Sequence, residues 1–274
     1  PHHVLGGSRL YRVRQRRADR EPVRRDLIIA GIIWAVATAL AVAATYYLLD
    51  PFPTHGAEEA TLVDDAFFTL TYMATPVFGL VIAGLGYSLM RFRAKGDPTE
   101  DGPPISGGLA IPVAWLIVTT TLAVVVMIHP GLTGLFELRA DNTADLQVNV
   151  TGFRWAWTVE YPESGVRVSS PVDELVLPAH RRIQFNVTSI EGDVLHAFWV
   201  PAFRVKADAV PGQVIEVFVT LDRTSDPDDI AYRVQCTELC GLFHAGMAMD
   251  VRVVEPEEFD AWVESKTASV AKVQ

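Results

Sequence analysis

The stretch Leu146-Gln147-Val148-Asn149-Val150 alternates apolar and polar residues, whereas the apolar segment just upstream, from Leu109 to Ile128, is continuous and holds no Asp, Glu, Lys or Arg. Alternation with a period of two marks a strand with one buried face. An unbroken apolar run of about 20 residues instead matches the ~30 Å hydrocarbon core of a bilayer. The chain therefore changes solvent near residue 141. Working downstream, Ile183, Phe185 and Val187 repeat the alternation, and further candidate strands fall at 155–161, 214–221, 232–236 and 248–254 between clusters of Pro, Gly, Asp and Ser. This pattern predicts a small antiparallel sandwich or barrel. Pro256 then opens a short helix whose Phe259, Trp262 and Val263, at i, i+3 and i+4, would pack on the sheet.

Working upstream, two more charge-free apolar runs occupy 27–49 and 66–90. Eight arginines lie between Arg9 and Arg25, Arg91, Arg93 and Lys95 follow the second run, and Glu58, Glu59, Asp64 and Asp65 lie between the first two. The positive-inside rule then puts the N-terminus in the cytoplasm and the C-terminal half outside. The first run has the basic flank of a signal peptide and small residues at Ala41, Ala43 and Ala44, but it is longer than the usual apolar core of one. We read it as a crossing. Pro76 and Pro112 fall inside spans, where neighbouring helices are expected to satisfy the freed carbonyls.

Composition agrees with a partly membrane-embedded chain. Of 274 residues, 50% are hydrophobic and 20% charged, and the mean hydropathy is +0.22, too apolar for disorder or an ordinary solvated domain. The net charge of −10 comes from residues 131–274, which hold 22 acidic against 12 basic residues, while residues 1–130 hold 11 of each. No basic face is left for nucleic acid, because the arginine run reads as a topology signal. Two cysteines cannot build a disulfide framework or a four-cysteine metal site. Without a Cys-x-x-Cys-His motif there is no covalent heme.

The chemistry concentrates in Cys236-Thr-Glu238-Leu-Cys240-Gly-Leu-Phe-His244-Ala-Gly-Met247, with a distant His196 in Asp193-Val-Leu-His196. Soft sulfur with imidazole selects copper, zinc or iron–sulfur over magnesium or calcium, and a thioether close to a histidine points toward copper. Two alternatives stay open on the residues alone: a Cys2His2 zinc site with Met247 in the core, and a Cys236–Cys240 disulfide in an oxidising compartment.

These motifs resemble subunit II of the heme-copper oxidases, the cytochrome c oxidase type with a binuclear copper centre, CuA. The match is Cys-x-Glu-x-Cys-x3-His-x2-Met with an upstream His in a Val-Leu-His-x-Phe-Trp-Val-Pro context. Gly152-Phe-Arg-Trp155-Ala-Trp157-Thr-Val-Glu160-Tyr161 and Lys206-Ala-Asp208-Ala-Val-Pro211-Gly212 are similar to further family segments in the same order, and the apolar runs at 66–90 and 109–128 to its two-helix hairpin. The likeness spans about 66–262 and leaves 27–49 as an extra crossing. It implies a membrane α plus all-β chain. The basic N-terminus would be 1–26, the helices 27–49, 66–93 and 109–129, an extracytoplasmic cupredoxin-like CuA domain 141–255, and a C-terminal helix and tail 256–274.

Carried over residue by residue, the resemblance implies that Cys236 and Cys240 bridge two coppers. His196 and Met247 would complete one, and His244 with the Glu238 carbonyl the other. The Glu238 carboxylate would help hold a Mg²⁺ shared with the catalytic subunit, a hard ligand for a hard ion, against the plainer reading of a solvated surface glutamate. Trp155 would accept electrons, and Trp157 would be structural. The implied function is electron transfer from a soluble donor, a basic cytochrome c or a cupredoxin, to heme in catalytic subunit I, with a subunit III in the complex. Oxygen reduction there would be coupled to proton translocation across a bacterial-type cell membrane, the CuA domain lying on the periplasmic side. This subunit would not be catalytic alone. Alternatives are the CuA subunit of a nitric oxide reductase and a membrane-tethered copper-binding module. One departure stands out: the family's helix carries a Glu three residues before a Trp, and here that position before Trp115 is Pro112. Either Glu100 or Asp101 in the preceding loop takes that proton-collecting role, or both are solvated loop charges and protons enter entirely through the catalytic subunit.

Overall fold

The structure, a computed structural model, describes residues 20–93, 96 and 108–271. Most of the N-terminal arginine run, Lys95, Glu100 and Asp101 lie outside the described residues. The chain separates into two compact units, Pro1–Asp50 with Phe68–Val126, and Pro51–Phe67 with Met127–Gln274.

The first unit is helical. Helix α1 runs Arg20–Leu48, α2 Glu58–Arg91 and α3 Ala110–Val126. Among the described residues, three segments are long and apolar enough to cross a membrane: Arg24–Leu48, Glu58–Arg91 and Ala110–Leu138. Their apolar side chains point outward, Leu40 being 67% and Ile111 78% exposed, as a surface facing lipid must be. The two prolines are handled locally. Pro112 sits in the first turn of α3, where a missing N–H leaves no bond unmade. Pro76 is inside α2 and removes the donor to the Tyr72 carbonyl, which instead accepts the Thr75 hydroxyl at 2.9 Å. No neighbouring helix is needed for that carbonyl.

The second unit is a β-sandwich. After a kink at His129 and the short helix α4, Thr133–Leu138, come β1 (Leu146–Phe153), β2 (Ala156–Tyr161), β3 (Val166–Ser169), β4 (Leu175–Pro178) and β5 (Arg182–Ser189), then β6 (His196–Trp199), β7 (Lys206–Ala209), β8 (Ile215–Thr220), β9 (Arg233–Cys236) and β10 (Ala248–Val254). They form two five-stranded sheets, ordered β3-β2-β1-β5-β8 and β4-β10-β9-β6-β7. Between them lies a core that includes Val148, Val150, Trp157, Phe185, Phe198, Val234 and Val253, all at most 2% exposed.

The sheets are mixed, which corrects the antiparallel expectation. β1 pairs with β5 in parallel, Val148 opposite Phe185, and β10 with β4 in parallel, Val251 opposite Leu175. Period-two alternation shows that a strand has a buried face but carries no information on its neighbour's direction. Only a short turn such as that joining β1 to β2 forces an antiparallel pair. Helix α5, Pro256–Ala271, lays Phe259 into the core with Trp262 and Val263 against it. Tyr161 meets both aromatic rings and donates its hydroxyl to the Val176 carbonyl at 2.7 Å.

The segment 51–67 belongs to this unit and is fixed to it by two arginines. Arg204 pairs with Asp64 through Nε and Nη2 at 2.9 and 3.1 Å and donates to the carbonyls of Pro53 and Pro201. Arg182 Nη1 pairs with buried Glu59 at 3.0 Å, and Glu59 also accepts the backbone N–H and hydroxyl of Thr220. The first two turns of α2 therefore fold with the sandwich.

Candidate metal centre

Neighbouring strands bring the distant histidine to the cysteine loop. His196 opens β6, and β6 pairs with β9 so that Phe198 lies opposite Cys236, the last residue of β9. The chain then leaves the sheet and returns at β10. The Cys236 N–H donates to the Met247 carbonyl at 3.1 Å, closing the loop at its base. Thr237 N–H reaches the Ala197 carbonyl, also at 3.1 Å, so the start of the loop is stitched to the strand that carries His196. At the loop's outer turn Gly241 has φ +114°, a region that disfavours any Cβ, and a Cβ there would lie 3.4 Å from the Trp155 ring.

All the side chains singled out as copper ligands converge. Cys236 Sγ lies 3.7 Å from Cys240 Sγ, 3.8 Å from His196 Nδ1 and 3.3 Å from the Glu238 carbonyl oxygen. Cys240 Sγ lies 3.5 Å from His244 Nδ1 and 3.8 Å from Met247 Sδ. Both cysteines are free, and their separation is far beyond the ~2.05 Å of a disulfide bond. The distances suit shared metal ions instead. A thiolate at about 2.3 Å and an imidazole at about 2.0 Å from one metal, set at tetrahedral angles, would sit about 3.5 Å apart, and two such thiolates about 3.8 Å. Each histidine turns Nδ1 to a different sulfur, so neither donor is redundant.

The pocket is dry. His196 is 0%, Met247 1%, Cys240 3% and Cys236 8% exposed. Burial pushes the Cys240 thiol up to about 11, helped by its hydrogen bond with Cys236, and pushes the His196 imidazole down, partly offset by Asp193. Without metal the Cys240 thiol therefore stays protonated and the His196 imidazole neutral at pH 7. A metal ion would have to displace those protons, which couples its affinity to pH.

Two supporting residues escaped the sequence reading. Asp193 accepts the Arg154 backbone N–H at 2.8 Å, Arg154 Nε at 2.5 Å and the Val194 N–H at 2.8 Å. Its Oδ2 also stands 3.8 Å from His196 Nε2, a buried atom with no hydrogen-bond partner among the described residues. That carboxylate faces the ring nitrogen opposite the one aimed at sulfur. Its position three residues before His196 was the available signal. The other is Phe243, whose ring packs edge-on to Trp155 at 5.0 Å. Trp155 is half-buried and donates Nε1–H to the Cys240 carbonyl at 3.1 Å. Trp157 is fully buried, with its ring 6.1 Å from that of His196. Around the loop Leu239, Leu242 and Phe243 are 78%, 84% and 59% exposed. Glu238 is exposed as well.

Residues 165–254 match the family model described as cytochrome c oxidase subunit II, periplasmic domain. The cytochrome c oxidase subunit 2 of a Synechocystis species is 32% identical over 257 residues, covering 77% of this chain and 74% of its own. The chain belongs to the cytochrome c oxidase subunit II family. A probable subunit 2 of Rickettsia conorii is 30% identical over 215 residues, 72% of this chain and 65% of its own length. The crystal structure of the periplasmic domain of a Bradyrhizobium japonicum subunit II is 35% identical, covers 46% of this chain and 96% of that one, and superposes with a TM-score of 0.40. As a subunit II, the protein is part of a heme-copper oxidase complex and carries electrons through a CuA-type, cupredoxin-like domain that follows membrane helices. The family binds copper, and the His196, Cys236 and Cys240 donor atoms, all within 4.8 Å of one another, are compatible with it.

Proposed function

We propose that this subunit takes electrons one at a time from a soluble cytochrome c-type donor and passes them to heme in the catalytic subunit, where oxygen is reduced and protons are translocated. The observation that carries the reading is the convergence of two thiols, two imidazoles, a thioether and a backbone carbonyl in one closed loop. Cys236 and Cys240 would bridge two coppers, His196 and Met247 would complete one, and His244 and the Glu238 carbonyl the other. Such a pair would supply one-electron chemistry at little cost in rearrangement, because one unpaired electron would be shared over both metals.

The residues of the chain do the rest. The stitched loop would hold the six donors together before any metal arrives, with Cys236, Cys240, Met247 and His196 buried beneath its exposed outer residues. Trp155 donates its indole N–H to the carbonyl of Cys240, so a half-buried ring reaches a thiol that would bridge the coppers through one hydrogen bond and the cysteine's own bonds. The exposed Leu239, Leu242 and Phe243 form an apolar rim for a donor, while the acidic excess of the outer domain steers a basic one. The exposed Glu238 carboxylate would share a Mg²⁺ with the catalytic subunit, a hard oxygen ligand for a hard ion. With the N-terminus in the cytoplasm, the CuA domain stands on the periplasmic side.

The test is stopped-flow mixing of reduced cytochrome c with the purified oxidase complex. Heme reduction should follow donor oxidation in the native complex and vanish when Cys236→Ser empties this centre. Unchanged heme reduction in that variant would refute the route.

A further inference from the structure

A second set of polar contacts, unused by electron transfer, joins α1 to α2. Asp26 on α1 accepts the Tyr87 hydroxyl at 2.7 Å and Arg91 Nε at 3.3 Å. Further along α1, the Trp34 indole N–H donates to the Pro76 carbonyl at 2.7 Å. At Gly79 the two backbones come so close that an added Cβ would lie 2.7 Å from Thr38 Oγ1 and 3.3 Å from the Thr38 backbone nitrogen. Pro76, Gly79, Ala83 and Tyr87 follow one another at helical spacing along one stripe of α2, and Ala83 on that stripe is only 2% exposed.

In lipid the hydrophobic effect does not drive helices together, so pairing rests on close packing at small residues and on interhelical hydrogen bonds. An acidic side chain at a membrane edge is kept where it has a partner. A leader removed on export needs only length, apolarity and a basic flank. It has no use for a carboxylate matched to a phenol and a guanidinium on a later helix. The Ala41-Val42-Ala43 sequence that could serve as a cleavage site also lies inside α1, which continues helical to Leu48.

We propose that α1 is a permanent mate of α2, retained in the mature protein, and that Asp26, Trp34 and Thr38 are the residues by which it recognises Tyr87 with Arg91, Pro76 and Gly79. The stripe of α2 that α1 covers is then closed to any other subunit. The inference does not rest on copper.

The experiment uses the full chain in bacterial membranes with a C-terminal tag, in a Cys236→Ser, Cys240→Ser background that removes the metal centre. Intact mass and peptide mapping of the purified protein should find residues 27–49 still attached. Adding Thr38→Cys with Gly79→Cys should give, on mild oxidation, a near-complete intramolecular disulfide with a mass lowered by two hydrogens. The control pair Leu40→Cys with Gly79→Cys, in which position 40 faces outward, should cross-link at least ten-fold less. A mature chain that begins beyond Ala43 would overturn the proposal. So would a retained α1 whose Thr38 pair cross-links no better than the control. Because copper is absent throughout, none of these results bears on the electron-transfer reading.

Discussion

The Trp155 indole N–H donates to the Cys240 carbonyl across 3.1 Å, so an aromatic ring at the surface is bonded to the backbone of a buried thiol ligand. Trp155→Ala removes both the ring and that bond. Electron uptake from reduced donor should slow by about two orders of magnitude or more, since a 1.4 kcal/mol rise in barrier already costs ten-fold, with copper content unchanged. Trp155→Phe keeps a ring but not the donor and should fall between. Donor-oxidation rates alongside copper analysis check this, and equal rates in all three proteins would make Trp155 a packing residue only.

Met247 and Cys240 touch at 3.8 Å but should fail differently. Met247→Leu is expected to keep both coppers and shift their reduction potential, because an axial thioether tunes the site. Cys240→Ser removes a bridge and should abolish the mixed-valence spectrum. Redox titration with electron paramagnetic resonance separates them, and equal mild effects would contradict the ligand assignment.

Asp193→Asn keeps the size of the side chain that faces His196 Nε2 and Arg154 but loses its charge. Copper should still bind with the same stoichiometry and roughly ten-fold more weakly, the usual cost of losing a partner that orients a ligand. Competition titration with a chelator measures it. Unchanged affinity would make Asp193 a loop brace only.

The metal-free protein should be most stable between about pH 6.5 and 9. The Cys240 thiol has its pKa raised from 9.0 to about 11, so the folded state holds that proton more tightly, and the associated stability is lost as pH climbs through that interval. His196 is shifted down from 6.5, so the unfolded chain binds its proton first and stability falls as pH drops below that value. Thermal unfolding against pH would show both flanks. Copper loading should flatten them, because bound thiolates and imidazoles no longer titrate.

Arg204 carries a different kind of weight, since its side chain is only 6% exposed against Asp64. Asp64→Ala leaves a buried guanidinium without its carboxylate and should cost about 3 kcal/mol in unfolding free energy. Chemical denaturation of the sandwich tests this. A loss below about 0.5 kcal/mol would show the pair to behave as an ordinary surface bridge.

Some of this was legible before any coordinates. The spacing of Cys236, Cys240, His244 and Met247 is local, so one loop could be read from one stretch of chain, and alternation exposed β1, β5 and β10 because each has one wet face. What was not legible lacked a period or a local partner. β4 is buried on both sides, Leu175 through Pro178, so it has no alternation to read. β6 is four residues long with three buried. The parallel pairing of β1 with β5 spans three intervening strands. Asp193 and Phe243 gain meaning only when His196 and Trp155 are folded against them. The pairing of Arg204 with Asp64 joins residues 140 apart in sequence, beyond the reach of any pattern rule.

Electron transfer by this subunit depends on what the six converging donors hold. Metal analysis of the purified full chain after copper loading, with electron paramagnetic resonance of the oxidised form, is the most direct measurement. The expected result is two coppers per chain and a hyperfine pattern shared over both nuclei. One zinc and no copper, or a single isolated copper signal, would contradict it.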